Sequence, residues 1–133
     1  MDRVQLIQFI AEQYNVHEEN PWEKYPNHSV FRHKDNQKWF ALMMNISKSK
    51  LGLSSNAMID VLNVKCDPLL IGTLRNEKGV YPAYHMNKEN WVTLALDGSI
   101  KEDQLKWLLD QSFELTASKK KKKLSMKESG HGV

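Results

Sequence analysis

An α+β domain, with helices laid over one face of an antiparallel sheet as a two-layer sandwich, follows from three features of the chain. Helical and strand patterns alternate in the order α-β-β-β-α-β-β-α. The connections between strands are too short for parallel crossovers, which need a dozen or more residues. The 133 residues, 41% of them hydrophobic, give room for one core that needs neither metal nor disulfide.

The first helix covers residues 2–14, where Val4, Ile7, Ile10, Ala11 and Tyr14 recur at three- and four-residue steps. The Asn20-Pro21 break separates it from a strand over Ser29 to His33. Lys34-Asp35-Asn36-Gln37 then turns the chain, and Lys38 to Ile46 returns as the second strand of a hairpin. Phe40, Leu42, Met44 and Ile46 are spaced to form one unbroken apolar face. A connection over 48–56, carrying serines and Gly52, leads to a third strand from about Met58 to Cys66.

Asp67-Pro68 starts a short helix to about Asn76, because the carboxylate can cap free N–H groups and the fixed φ of proline suits the first helical position. It ends before Gly79. Val80 to Met86 and Trp91 to Leu96 are the last two strands, around a turn at Asn87-Lys88-Glu89-Asn90. Alternation puts Tyr81, Ala83 and His85 on one face of the fourth strand and Val80, Pro82, Tyr84 and Met86 on the other. Ser99 and Glu102 read as a capping box, and Leu105, Leu108 and Leu109 carry the stripe of a last helix to about Leu115. The folded domain is therefore 1–117. Residues 118–133 are expected to form a disordered lysine-rich arm, since adjacent lysines repel one another and have no apolar periodicity to pack.

Charge is sorted along the chain. The net charge of +3 comes from the arm, because residues 1–117 hold 13 Lys and Arg against 15 Asp and Glu. Within that body, 1–23 and 97–114 are acidic, and 29–50 sets Arg32, Lys34, Lys38, Lys48 and Lys50 against Asp35 alone. A polyanion would bind at that basic stretch or at the arm.

Three stretches carry a family likeness: Val64-Lys65-Cys66-Asp67-Pro68, Gly79-Val80-Tyr81-Pro82-Ala83-Tyr84-His85-Met86-Asn87-Lys88, and Trp91-Val92. Pro26-Asn27-His28, Lys38-Trp39-Phe40-Ala41 and the last helix with Ser112 agree with it. The chain resembles the MmcQ/YjbR family over roughly residues 1–116. That resemblance implies a two-layer α+β sandwich of the kind compared with CyaY-like and type III secretion chaperone-like proteins. It also implies DNA binding through a double-wing arrangement of hairpins.

On that reading the contacts are Arg32, His33, Lys34 and Lys38 in one hairpin and His85 and Lys88 in the other, joined by Lys119, Lys120, Lys121, Lys122 and Lys123 of the arm. Basic side chains at a hairpin tip can reach phosphates, and binding by the arm would be nonspecific and salt-sensitive. Trp91 could stack on an unpaired base, but it is expected in the core, because its strand is apolar on both faces.

Two other partners compete with DNA. The double-sided apolarity of Lys38 to Ile46 and Trp91 to Leu96 exceeds what one helical layer can cover, so the opposite sheet face could hold another protein in a chaperone-like manner. A small-molecule site could form near Tyr84, His85 and Arg75. No enzyme is expected. Cys66, Asp67 and His85 lack the spacing of a nucleophile–base pair, and Cys66 sits at the end of an apolar strand as small buried thiols do. The five histidines have no HxH, HxxxH or Cys-pair spacing for zinc, and Glu12, Glu18 and Glu19 are too few for an iron-binding ridge, so no metal or cofactor is expected. No apolar run approaches the roughly 20 residues of a membrane span, and the lone cysteine and unhydrophobic start suggest the cytoplasm.

Overall fold

The computed structural model describes residues 1–118. In chain order these form α1 (Arg3–Tyr14), β1 (Ser29–Arg32), β2 (Trp39–Ser47), a 3₁₀ turn (Lys48–Leu51), β3 (Met58–Lys65), α2 (Pro68–Leu74), β4 (Val80–Pro82), β5 (Trp91–Ala95) and α3 (Glu102–Thr116). The strands make one antiparallel sheet in the order β1-β2-β3-β5-β4. The α+β class and the element order are as expected.

Local chemistry explains the helix ends. Asp2 and Gln5 form a capping box that opens α1, and Asn15 closes it in the left-handed region at φ 55°. Asp67 caps α2 by accepting from the Leu69 N–H at 2.9 Å, with Pro68 at the first helical position. The expected Ser99 capping box of α3 does not form. Lys101 is the N-cap residue and contributes no side-chain bond. The Asp97 carboxylate takes both the Ser99 N–H, at 3.0 Å, and the Ser99 hydroxyl, so the serine closes an Asp97-Gly98-Ser99 turn instead.

One sheet face packs on the helices. Leu6 and Ile10 of α1 and Leu105, Leu108 and Leu109 of α3 are buried with Met43, Leu62, Val64, Val92 and Leu94 of the strands. Tyr14 joins the two long helices by donating to Asp110 at 3.1 Å. The second face is also apolar: Val30, Leu42, Met44, Ile46, Ile59, Val61 and Ala95 form a separate buried cluster.

A β-bulge divides β2 between these layers and corrects the expected apolar face. Phe31 pairs with Ala41 while Arg32 pairs with Trp39, so Phe40 is an extra residue. The bulge sends Phe40 into the helix-side core, with ring centroids 5.0 Å from Phe113 and 5.7 Å from Tyr14. Trp39 takes the place on the second face. Just beyond the last β2–β3 pair, the Ser112 hydroxyl accepts from Lys65 N–H at 2.8 Å and donates to the Phe40 carbonyl, tying α3 to both strands.

The outer edge of β1 is covered by a two-way backbone bridge between Glu19 and Val30, at 3.0 and 2.8 Å. Gly79 enters β4 at φ +84°, where a Cβ would lie 2.4 Å from Ser99 Oγ. Among the described residues no helix is long and apolar enough to cross a membrane.

Candidate functional site

The second sheet face carries a cup of about 600 Å³. Leu42, Met44 and Ile46, alternate residues of β2, lie along it. One wall is the segment between α1 and β1, which supplies Trp22, Tyr25 and His28. These rings brace one another and the sheet. Tyr25 and His28 stack at 4.9 Å, and Trp22 meets Trp39 edge-on at 5.7 Å. The opposite wall is Tyr84, His85 and Met86, and Asn45, Ser47, Lys50 and Met58 also line the cup.

A ring of three hydrogen bonds holds the second wall. The Tyr84 N–H donates to Thr93 Oγ1 at 2.9 Å, the Thr93 hydroxyl donates to Asn63 Oδ1 at 2.6 Å, and Asn63 Nδ2 donates to the Tyr84 carbonyl at 2.7 Å. Asn63 and Thr93 have no exposed surface, so every polar group in the ring must be satisfied from within. With both backbone groups of Tyr84 fixed, the next residue turns sharply, and His85 takes φ 62°. This left-handed conformation overturns the strand alternation expected through Met86. β4 stops at Pro82, and Tyr84, His85 and Met86 all line the same cup.

The polar complement of the cup is sparse and one-sided. Its ionisable lining groups are Lys50, His28, His85 and the phenols of Tyr25 and Tyr84, with no carboxylate. Burial holds the His28 imidazole below the usual histidine range, opposed by its bond to the Asn45 backbone and reinforced by the charges of Arg3 and His85. The ring of His85 lies 3.9 Å from that of Tyr84.

Of the residues singled out for DNA contact, His85 lies in the cup wall. Lys34 and Lys38 are exposed at the β1–β2 turn and Lys88 at the β4–β5 turn. Because β1 and β4 run the same way in this sheet, both turns leave the same end. Arg32 is engaged by Glu19, which accepts from its Nε at 2.9 Å and from Nη2, so much of its charge is matched locally. His33 is not at the surface. It is fully buried, its Nε2 2.8 Å from Thr116 Oγ1 and its ring packed against Phe113 and Phe40. Lys119, Lys120, Lys121, Lys122 and Lys123 lie outside the described residues.

Two further expectations are corrected. Trp91 is only half-buried, because it is the first residue of β5 and pairs with Lys65 at the end of the sheet. Arg75 does not line the cup, since its guanidinium donates to the Lys88 carbonyl. Of the acids, Glu19 binds Arg32 and Glu18 accepts from the Ser29 hydroxyl at 2.8 Å. Cys66 is buried, and desolvation pushes its thiol up to about 11. Among the described residues no cluster of three or more His, Cys, Asp or Glu could hold a metal ion.

Sequence reasoning missed Trp22 and Tyr25, took Lys50 only as one charge of the basic stretch 29–50, and treated His28 only as part of a family-like tripeptide. The usable signal was two aromatic residues between Pro21 and Pro26, in a segment with no strand or helix of its own.

The arrangement has relatives. The chain is 40% identical over 116 residues to "Uncharacterized protein YyaQ" of Bacillus subtilis (strain 168), an alignment covering 87% of this chain and 98% of that protein. A crystal structure of a protein from Pseudomonas syringae superposes with a TM-score of 0.86 at 44% identity, covering 88% of this chain and all of that one, at 100%. A Deinococcus radiodurans protein with a DUF419 domain is more distant, with a TM-score of 0.67 at 25% identity over 90% of this chain and 81% of its own. The YjbR family model matches residues 11–115, from the last turn of α1 to the last turn of α3, and so takes in the sheet and both walls of the cup. By this match and by the full-length likeness to YyaQ, the chain belongs to the YjbR family.

Proposed function

We propose that this protein is a non-enzymatic binding module whose ligand is a small, largely apolar or aromatic molecule held in the cup on the second sheet face. The observation that carries the reading is the cup itself: about 600 Å³, between two aromatic walls, one of them tethered by buried hydrogen bonds. Small-molecule sites are typically concave, largely apolar and roughly 300–1,000 Å³ in volume. Binding rather than catalysis is favoured because the lining holds no activated nucleophile. Ser47 bonds Ser49 rather than an imidazole, and Cys66 lies outside the cup. A flat protein partner is the weaker occupant, since a stable interface takes roughly 800 Å² per side and this face is narrowed by two walls.

Titrating the full chain with small aromatic molecules while following amide chemical shifts tests this reading. Saturable shifts at Trp22, Trp39, Tyr84 and His85 are expected. A panel that moves none of them would overturn it.

Nucleic acid is a second reading, supported by the exit of both lysine-bearing turns at one end of the sheet. Ser118, which precedes the lysine run in sequence, donates its hydroxyl to Asp35 of the β1–β2 turn at 2.7 Å. Titration of labelled duplex DNA at low and high salt tests it. Binding that weakens steeply with salt is expected, and no binding at low ionic strength removes DNA as a partner.

A further inference from the structure

Resting on the cup reading, we infer that the ligand is an anion: an aromatic or apolar carboxylic acid whose carboxylate faces Lys50 and the His85 imidazole. The folded body holds more acids than bases, yet no Asp or Glu lines the cup. Apart from the phenols, every ionisable group there is a base. Lys50 has no ion-pair partner among the described residues, where the pairs are Arg3–Asp60, Arg32–Glu19 and Lys106–Glu102. Its ammonium is available to a ligand.

A carboxylate entering an apolar cup gives up water, and charge-assisted hydrogen bonds must compensate for that loss. Lys50 and the His85 imidazole offer such donors on a lining that is otherwise mostly aromatic and aliphatic. A cationic ligand would meet these groups with no counter-charge to offset them. His85 rather than His28 is the imidazole donor, because an N–H of His28 is already taken by the Asn45 backbone, while the Tyr84 tether holds the backbone that carries His85 beside the cup.

Naphthoate and naphthamide, nearly equal in shape and different in charge, separate this inference from the reading beneath it. Both are titrated into the full chain and into Lys50→Met and His85→Gln variants of unchanged unfolding midpoint, with amide shifts locating each probe. Naphthoate is expected to bind about tenfold more tightly than naphthamide, as one charge-assisted contact allows. Each substitution should lower naphthoate affinity severalfold and leave naphthamide unmoved. Equal affinity for the two probes overturns the anion inference and leaves the cup as a site for neutral ligands. Naphthoate shifts confined to residues 34–38 and 87–90 also overturn it, because the lysine turns and not the cup would then hold the charge. Failure of both probes at the cup overturns the inference and the site together.

Discussion

Asn63 and Thr93 sit opposite one another on β3 and β5, and their side chains meet at 2.6 Å in the middle of an apolar sheet face. A polar pair there has one local use: it presents a donor and an acceptor to the backbone of Tyr84. The short β4 strand gives little anchorage of its own, so the pair is what holds the following segment over the face and makes a cup of it.

Breaking that pair should therefore cost more than a surface hydrogen bond. Asn63→Leu leaves the Tyr84 carbonyl and the Thr93 hydroxyl without their partner, at a cost of about 2 kcal/mol. Thr93→Val should cost a similar amount, and the double variant less than the two combined, because both act on one ring of bonds. Urea unfolding of the four proteins measures this. Strict additivity would show that the ring does not act as a unit.

The His85 backbone gives a second prediction. A non-glycine residue at φ 62° is strained, and glycine adopts the conformation freely. His85→Gly should be more stable than His85→Ala by about 1 kcal/mol, although both remove the imidazole. Thermal unfolding of the pair decides it, and equal midpoints would mean that residue 85 relaxes out of the left-handed region.

His28 makes stability depend on pH. Its imidazole is held below its ordinary value by burial first, then by Arg3 of α1 and by His85 across the cup, against the Asn45 carbonyl that bonds it. The folded state then binds fewer protons than the unfolded one as pH falls through the ordinary histidine value of about 6.5. The stabilising contribution is complete above that value and is lost as pH drops toward the lowered folded value. Denaturation from pH 7 to 5 should show a shallower loss in His28→Gln than in the parent, and parallel curves would contradict the assignment.

Phe40 tests the bulge. Its ring has no exposed surface and touches the rings of Tyr14, Phe31, His33 and Phe113. Phe40→Ala should cost about 4 kcal/mol, the range for emptying a packed aromatic site. Trp39→Ala should cost distinctly less, because its ring is only partly buried on the cup side. If Phe40 instead lay on the second face, as simple alternation has it, the two costs would be close.

Most of the fold is legible because hydrophobic period and turn residues act locally. Asp67-Pro68 starts a helix wherever it is read, and the doubled apolar faces of β2 and β5 announce that both sides of the sheet are covered. The errors share a cause, which is a specific hydrogen bond or backbone irregularity that overrides a general rule. Asp97 takes the Ser99 side chain from its expected cap, a bulge whose carbonyl Ser112 satisfies moves Phe40 to the other layer, and the tether at Tyr84 ends a strand that alternation would continue. The cup is harder to see in sequence, because its two walls lie more than fifty residues apart and neither has regular structure. The string from Ala83 to Met86 marks one of them, and the aromatic pair between Pro21 and Pro26 is the one signal for the other.

A crystal structure of the full chain grown with naphthoate tests the central claim most directly. The ring should lie over Leu42, Met44 and Ile46 between Trp22 and Tyr84, its carboxylate toward Lys50 and His85. Naphthoate bound elsewhere, with the side chains of Trp22 and Tyr84 closed over an empty face, would contradict the account.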